Sequence, residues 1–187
     1  MNAKDPEPEA DALAALERGD WNAVLTFLMQ TYGDQIYRHC RHVIGHAATA
    51  DDVHQLIFVE AYRDLPRFKR RSTLRTWLYT IARHRCIDAL RARRRQRARE
   101  DNEPAKREPA IDGKAEAETR ALRDALSTSL DSLPHETKIA VLLRFQEGLT
   151  YEEMSIICDE RPATLQARVA RALPVLRRYL EERGVSP

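Results

Sequence analysis

The sequence predicts an all-α protein, two small helical domains joined by a flexible linker. Three observations carry that expectation. Apolar residues recur at helical spacing along most of the chain, and no run alternates as a half-buried strand would. Only 6 of the 187 residues are glycine, while the strong helix formers Ala, Leu, Glu and Arg dominate. Between two periodic stretches lies QRAREDNEPAKREPAIDGKAEAE, residues 96–118, with two prolines, one glycine and almost no large apolar side chain. Such a segment cannot bury enough surface to offset its own ordering entropy.

The elements follow in order. Residues 1–11 form an acidic tail, and the first domain is expected over residues 12–95. Leu13 and Leu16 open its periodicity, Gly19-Asp20 interrupts it, and Asp20 can cap a second helix carrying Trp21, Val24, Leu25 and Leu28. Gly33-Asp34 reads as the start of a further segment, with Ile36, Tyr37, Cys40, Val43 and Ile44 on one face and Gly45 at its end. Thr49 or Asp51 starts the next, with Val53, Ile57, Phe58, Ala61 and Tyr62, and Pro66 closes it. Phe68 to Ser72 reads as a loop, with Ser72 capping a helix whose apolar face runs from Leu74 to Leu90. After the linker, the second domain is expected over residues 119–187. Leu122, Leu126 and Leu130 share a helix face, Pro134 opens a helix that ends at Gly148, and Thr150 with Glu153 forms a capping box. Pro162 then begins a long helix with Leu165, Val169, Leu173, Leu176 and Leu180.

The charge pattern narrows the function. The net charge is only +2, yet residues 1–60 carry four Lys/Arg against ten Asp/Glu, and residues 63–99 carry fourteen Lys/Arg against Asp64 and Asp88 alone. An acidic block beside a basic one implies two different partners, and the basic one fits a polyanion or a solvated helix face. No apolar run approaches the ~20 residues of a membrane span, and no secretory leader is seen at the N-terminus. The three cysteines, Cys40, Cys86 and Cys158, are odd in number and widely spaced, which fits reduced thiols and a cytoplasmic location. No P-loop, dinucleotide fingerprint, zinc-protease motif or catalytic triad is visible.

A short helix, a tight turn and a longer basic helix make the helix-turn-helix pattern, which many helical hairpins also show. In the DNA-binding version, Thr164, Gln166, Ala167, Arg168 and Arg171 face the major groove. His39, Cys40, His42, His46 and His54 lie close in sequence, and His42 with His46 has a chelating spacing. No further ligand completes that pattern, so a metal is not expected. His84 and Asp88 read as a helical side-chain pair.

Three segments in order carry a family resemblance: Asp52, Gln55 and Phe58 in D-x-x-Q-x-x-F; Thr76 to Ala82 in T-W-L-Y-x-I-A; and Gly148 to Glu153 in G-L-T-Y-E-E. The chain closely resembles the ECF (extracytoplasmic function) branch of the bacterial sigma-70-type sigma factors over nearly its whole length outside residues 1–10 and the linker. The first domain resembles their region 2, a helical bundle, and the second their region 4, a helix-turn-helix. The resemblance implies binding to core RNA polymerase, at its β′ clamp helices and β flap, and promoter-specific initiation, with the catalysis belonging to the polymerase, so that no enzyme activity, catalytic residue, cofactor or small-molecule substrate is expected. Asp51, Asp52, Gln55, Phe58 and Val59 match positions that contact the clamp. The loop with Phe68, Lys69, Arg70, Arg71 and Ser72 would capture a flipped base of the melted −10 element, while Arg75, Arg83, Arg91, Arg93, Arg94 and Arg95 track phosphates. Arg161, Thr164, Gln166, Ala167, Arg168 and Arg171 would read the −35 element. An anti-sigma factor, in this family often membrane-anchored, is a further implied partner. The chain departs from the family at Gln166, Ala167 and Asp159, where Lys/Arg, Ser and Gly are usual, and at the histidines His39, His42 and His46. A stand-alone helix-turn-helix regulator is the alternative.

Overall fold

The computed structural model describes residues 6–99 and 117–182, and among these it contains helices and no strand. The first helix, α1 (Pro6–Glu17), already occupies half of the segment expected as a tail. Its Glu9 carboxylate accepts from the Leu74 backbone N–H at 3.1 Å, so an acidic residue of α1 satisfies an orphan donor at the start of a distant helix.

Helix α2 (Trp21–Ile44) starts on the Asp20 cap, whose carboxylate accepts from the Ala23 N–H at 3.0 Å. It runs straight through Gly33, where the sequence predicts a new segment. Leu28, Tyr32, Ile36 and Cys40 keep a four-residue spacing across the glycine, and burial of that stripe outweighs the ~1 kcal/mol helix penalty of glycine. Gly45 ends the helix with φ of 69°, a left-handed geometry that suits glycine. Helix α3 (Ala47–Asp64) begins earlier than predicted, because the His46 imidazole serves as its cap and accepts from the Thr49 N–H at 3.3 Å.

After a 3₁₀ turn at Leu65–Arg67, the chain enters α4 (Leu74–Arg99). Thr73, not Ser72, caps it: the Thr73 hydroxyl accepts from the Thr76 N–H at 3.1 Å, while the Ser72 hydroxyl donates to the Thr73 carbonyl. The helix continues through residues 96–99 of the expected linker; the remainder of that linker up to residue 116 lies outside the described residues. The C-terminal half comprises α5 (Ala117–Asp131), α6 (His135–Phe145), α7 (Tyr151–Cys158) and α8 (Pro162–Glu181). Gly148 takes φ of 68° and lets the Leu149 N–H reach back to the Leu143 carbonyl at 3.1 Å. The capping box at Thr150 and Glu153 is formed in both directions.

One hydrophobic cluster runs through both halves of the described residues. Val24, Leu28, Ile36, Ile57, Leu74 and Leu78 are buried among α2, α3 and α4, and Ile139, Leu143, Met154, Ile157, Leu165 and Val169 among α6, α7 and α8. The two halves meet where α4 packs on α7 and α2 on α6. That junction also holds polar groups: His39, Lys138 and Glu147 are buried there, and the hydroxyl of buried Tyr79 donates to Glu147.

Candidate nucleic-acid and polymerase interface

The helix-turn-helix is built from α7, its following turn and α8. The turn is made by Asp159, whose φ of 54° is left-handed, and the Glu160 N–H closes it on the Ser155 carbonyl at 3.3 Å. Asp tolerates this conformation better than most residues, so the departure from glycine leaves the turn intact. On α8, Leu165, Val169, Ala172 and Leu176 are buried, which turns Thr164, Ala167 and Arg171 outward. Arg161 and Gln166 are exposed beside them.

Arg168 is placed differently from the expectation. Its guanidinium is half-buried and grips Glu160 with both terminal nitrogens, at 2.7 and 2.5 Å. A fork committed to a carboxylate is not presented to guanine at the same time. The Glu160 pairing is a contact that sequence reasoning missed; an acid eight residues before a basic position lies outside the i,i+4 pairs that a helix pattern reveals.

On the other half, the loop before α4 carries Lys69, Arg70 and Arg71 in the open. Arg70 has φ of 55° and pairs with Glu17 of α1. Phe68 is half-buried, its ring 5.1 Å from that of Trp77. Along α4, Arg91, Arg94 and Arg95 are exposed, and Arg93 reaches the Ile44 carbonyl at 3.4 Å. Arg75 and Arg83 have in-chain partners from the C-terminal half. Arg75 stacks over the Tyr79 ring at 5.7 Å and donates to the Glu147 carbonyl at 2.5 Å, and Arg83 donates to Glu136 at 2.9 Å.

A third surface lies on α3. Asp51, Asp52, Gln55 and Val59 are exposed, with Val59 at 66%. Phe58 instead points into the core, against the His54 ring at 5.2 Å, so its place is to support this face from beneath. Leu56 and Tyr62 are exposed on the same helix and extend the apolar part of the surface, which the sequence pattern had assigned in part to the core.

The histidines disperse into separate structural roles. His46 caps α3, His54 meets the Gly33 carbonyl at 3.1 Å, and His42 meets the Gln146 side chain at 2.5 Å. His39 sits edge-on to Tyr79 at 5.5 Å, with Nδ1 3.5 Å from Glu147. Among the described residues no three potential metal ligands come together. Asp88 pairs with Arg85. The Cys40 and Cys86 sulfurs are 3.7 Å apart as buried thiols.

Comparison with known proteins gives these surfaces a common context. Residues 28–96 match the family model for sigma-70 region 2, and residues 123–173 match that for sigma-70 region 4. The ECF RNA polymerase sigma factor SigC of Mycobacterium tuberculosis is 33% identical over 181 residues, covering 94% of each chain. The chain belongs to the ECF branch of the sigma-70 family. Two solved sigma factors have the same fold: RpoE of Bartonella quintana, crystallised with the anti-sigma factor NepR, at TM-score 0.68 and 22% identity, covering 82% of this chain and 94% of that one; and CnrH, in complex with the cytosolic domain of CnrY, at TM-score 0.69 and 20% identity, covering 94% and 99%. In this sigma factor the region 2 match takes in most of α2, all of α3 and most of α4, and the region 4 match runs from α5 into α8, with α1 preceding both matched segments.

Proposed function

We propose that this ECF sigma factor binds core RNA polymerase and directs it to particular promoters, with region 2 melting and holding the −10 element and region 4 reading the −35 element. It supplies recognition, while the polymerase supplies the chemistry; the sigma factor is not itself an enzyme, takes no small-molecule substrate and works in the cytoplasm. The observation that carries this reading is the coexistence, in one family member, of two unlike exposed surfaces. On α3, Asp51, Asp52, Gln55, Leu56, Val59 and Tyr62 mix carboxylates with apolar groups, which suits a protein partner. In the α3–α4 loop and along α4, Lys69, Arg70, Arg71, Arg91, Arg94 and Arg95 make a cationic track, which suits a nucleic-acid strand.

In this account the α3 face takes the β′ clamp helices, and region 4 meets the β flap. The loop Phe68–Ser72 receives the flipped −10 base, with Phe68 braced by Trp77 as one wall of the pocket. Thr164, Ala167 and Arg171 enter the −35 major groove, flanked by Arg161 and Gln166, and Arg168 supports them through Glu160. An anti-sigma factor restrains the protein, as NepR and CnrY accompany its structural neighbours. No helix among the described residues is long and apolar enough to cross a membrane. The test is reconstitution: core polymerase with the purified protein is expected to yield discrete transcripts from genomic fragments. No gain over core alone, or tight duplex binding without core, contradicts the proposal and favours a stand-alone regulator.

A further inference from the structure

The loop assigned to the flipped −10 base is held from outside by a helix that lies before both matched segments. Helix α1 ends at Glu17, and the region 2 match begins at residue 28. Buried Ala12, Ala15 and Leu16 fix α1 to the first domain, where it packs on α2. Glu9 and Glu17 are spaced about 12 Å along its axis, and each reaches a different part of the loop. Half-buried Glu9 accepts from the Leu74 N–H at 3.1 Å, where the loop runs into α4. Glu17 pairs with the Arg70 guanidinium in the middle of the loop. Arg70 and Asp159 are the non-glycine residues with positive φ among the described residues, and Asp159 makes the helix-turn-helix turn.

Little else holds this loop. The Phe68 N–H reaches the Leu65 carbonyl at 3.0 Å, and the Phe68 ring leans on Trp77. From residue 69 to residue 73, no backbone N–H finds a backbone carbonyl among the described residues. A left-handed backbone at arginine carries a steric cost that glycine would not, so it persists only where its surroundings impose it. The Leu74 N–H is one of the orphan donors at the start of α4, and a carboxylate there also suits the positive end of that helix. A pocket for an extruded base is best shaped before the base arrives, because every side chain or loop ordered on binding subtracts from affinity.

A carboxylate beside Arg70 has two opposite roles open to it: it can shape the loop, or it can compete with a phosphate for the guanidinium. Two observations favour shaping. Lys69 and Arg71, on either side, stay exposed for phosphates, while Arg70 alone takes the left-handed backbone and turns back to α1. Glu9 holds the same loop at a backbone N–H, where no phosphate-binding arginine is involved.

We infer that α1 is a brace for the base-capture loop, with Glu9 and Glu17 as positioning residues that sharpen base preference at the −10 element without touching the strand. This rests on the assignment of Phe68–Ser72 to the flipped base.

The test measures binding of holoenzyme, core polymerase with the full chain, to single-stranded oligonucleotides that carry the −10 element mapped from its transcripts, each base being varied in turn. Glu17→Ala is expected to weaken binding of the preferred sequence about threefold, the scale of an exposed ion pair. It should also narrow the gap between preferred and disfavoured bases and leave the salt slope unchanged. Competition predicts the opposite: tighter binding and a slope steeper by about one, because Arg70 is freed to neutralise a phosphate. That result overturns the brace. Glu9→Ala is expected to lower binding about fivefold, the scale of a lost helix cap, and Glu9→Gln, which keeps an accepting oxygen, to recover most of the loss. A loss that Gln does not recover, or that appears equally in affinity for core polymerase, marks α1 as structural only and overturns the brace. If Glu9→Ala and Glu17→Ala leave base preference unchanged, Phe68→Ala shows how far the failure reaches: a flattened preference there upholds the loop assignment and overturns the brace alone, whereas an unchanged preference overturns both.

Discussion

Arg168 and Arg171 lie within one turn of α8 yet meet different neighbours, and their substitutions should part accordingly. Arg171 is exposed, and its Nε donates to the Ala167 carbonyl at 3.1 Å, within its own helix. Arg171→Ala is expected to cost about 1–3 kcal/mol at a matched −35 element and to flatten base preference there. Arg168→Ala is expected to lower thermal stability while leaving the preferred −35 sequence as it was, because its fork is committed to Glu160. Transcription from promoters randomised over the −35 element reads both; a changed base preference in Arg168→Ala puts Arg168 back among the base readers. The thiols offer a second residue-scale check. Burial pushes the Cys158 thiol up to about 11, and Cys86 is also raised by its hydrogen bond to Cys40 and by burial. These two thiols, and Cys40 by its burial alone, should resist an aromatic disulfide reagent at neutral pH and react together once denaturant is added; rapid reaction of the native protein contradicts this.

Among the elements, α7 and α4 carry the most informative expectations. Helix α7 has only 8 residues, so its ends matter more than its propensity. Thr150 accepts from the Glu153 N–H at 3.2 Å, and Thr150→Ala is expected to cost about 1 kcal/mol in chemical denaturation. Asp159→Gly removes a side chain from a left-handed position and should gain a fraction of that. A loss in the second variant would show that Asp159 supports the turn in some other way. For α4, replacing Arg91, Arg94 and Arg95 with Gln is expected to weaken DNA binding across sequences. The salt slope should fall by about 3 at most, one for each phosphate that is no longer neutralised. An unchanged slope removes these residues from the phosphate track.

At the scale of the whole molecule, the junction between the two halves links stability to pH through Glu147. Burial alone would raise its carboxyl, but the neighbouring His39, with Tyr79 and Gln146, reverses this and leaves it below the ordinary value of 4.5. A folded value below the unfolded one gives stability that is present above the ordinary carboxylate range and is lost as pH falls through the lowered value. Melting temperature should thus drop on acidification below about pH 4.5, and Glu147→Gln should blunt that drop; equal acid limbs contradict the linkage. Much of this molecule is legible in its sequence because local rules agree with the fold. The Asp20 cap, the Thr150 box, the Gly148 turn and the buried stripe of α8 are each written within a few residues. What escapes a sequence reading is long-range. Glu9 reaches Leu74, Glu160 reaches Arg168, and Glu147 reaches Tyr79, and none of these pairs has a period that a sequence window can detect. Gly33 misleads for a related reason, since tertiary burial of α2 overrides a local breaker. The central claim, that region 2 holds a melted −10 strand once core polymerase is bound, is tested most directly by permanganate reactivity of promoter thymines. Thymines around the −10 element should become reactive only with both proteins present, and reactivity should fall when Lys69, Arg70 and Arg71 are neutralised; no reactivity above that with core alone would contradict the account.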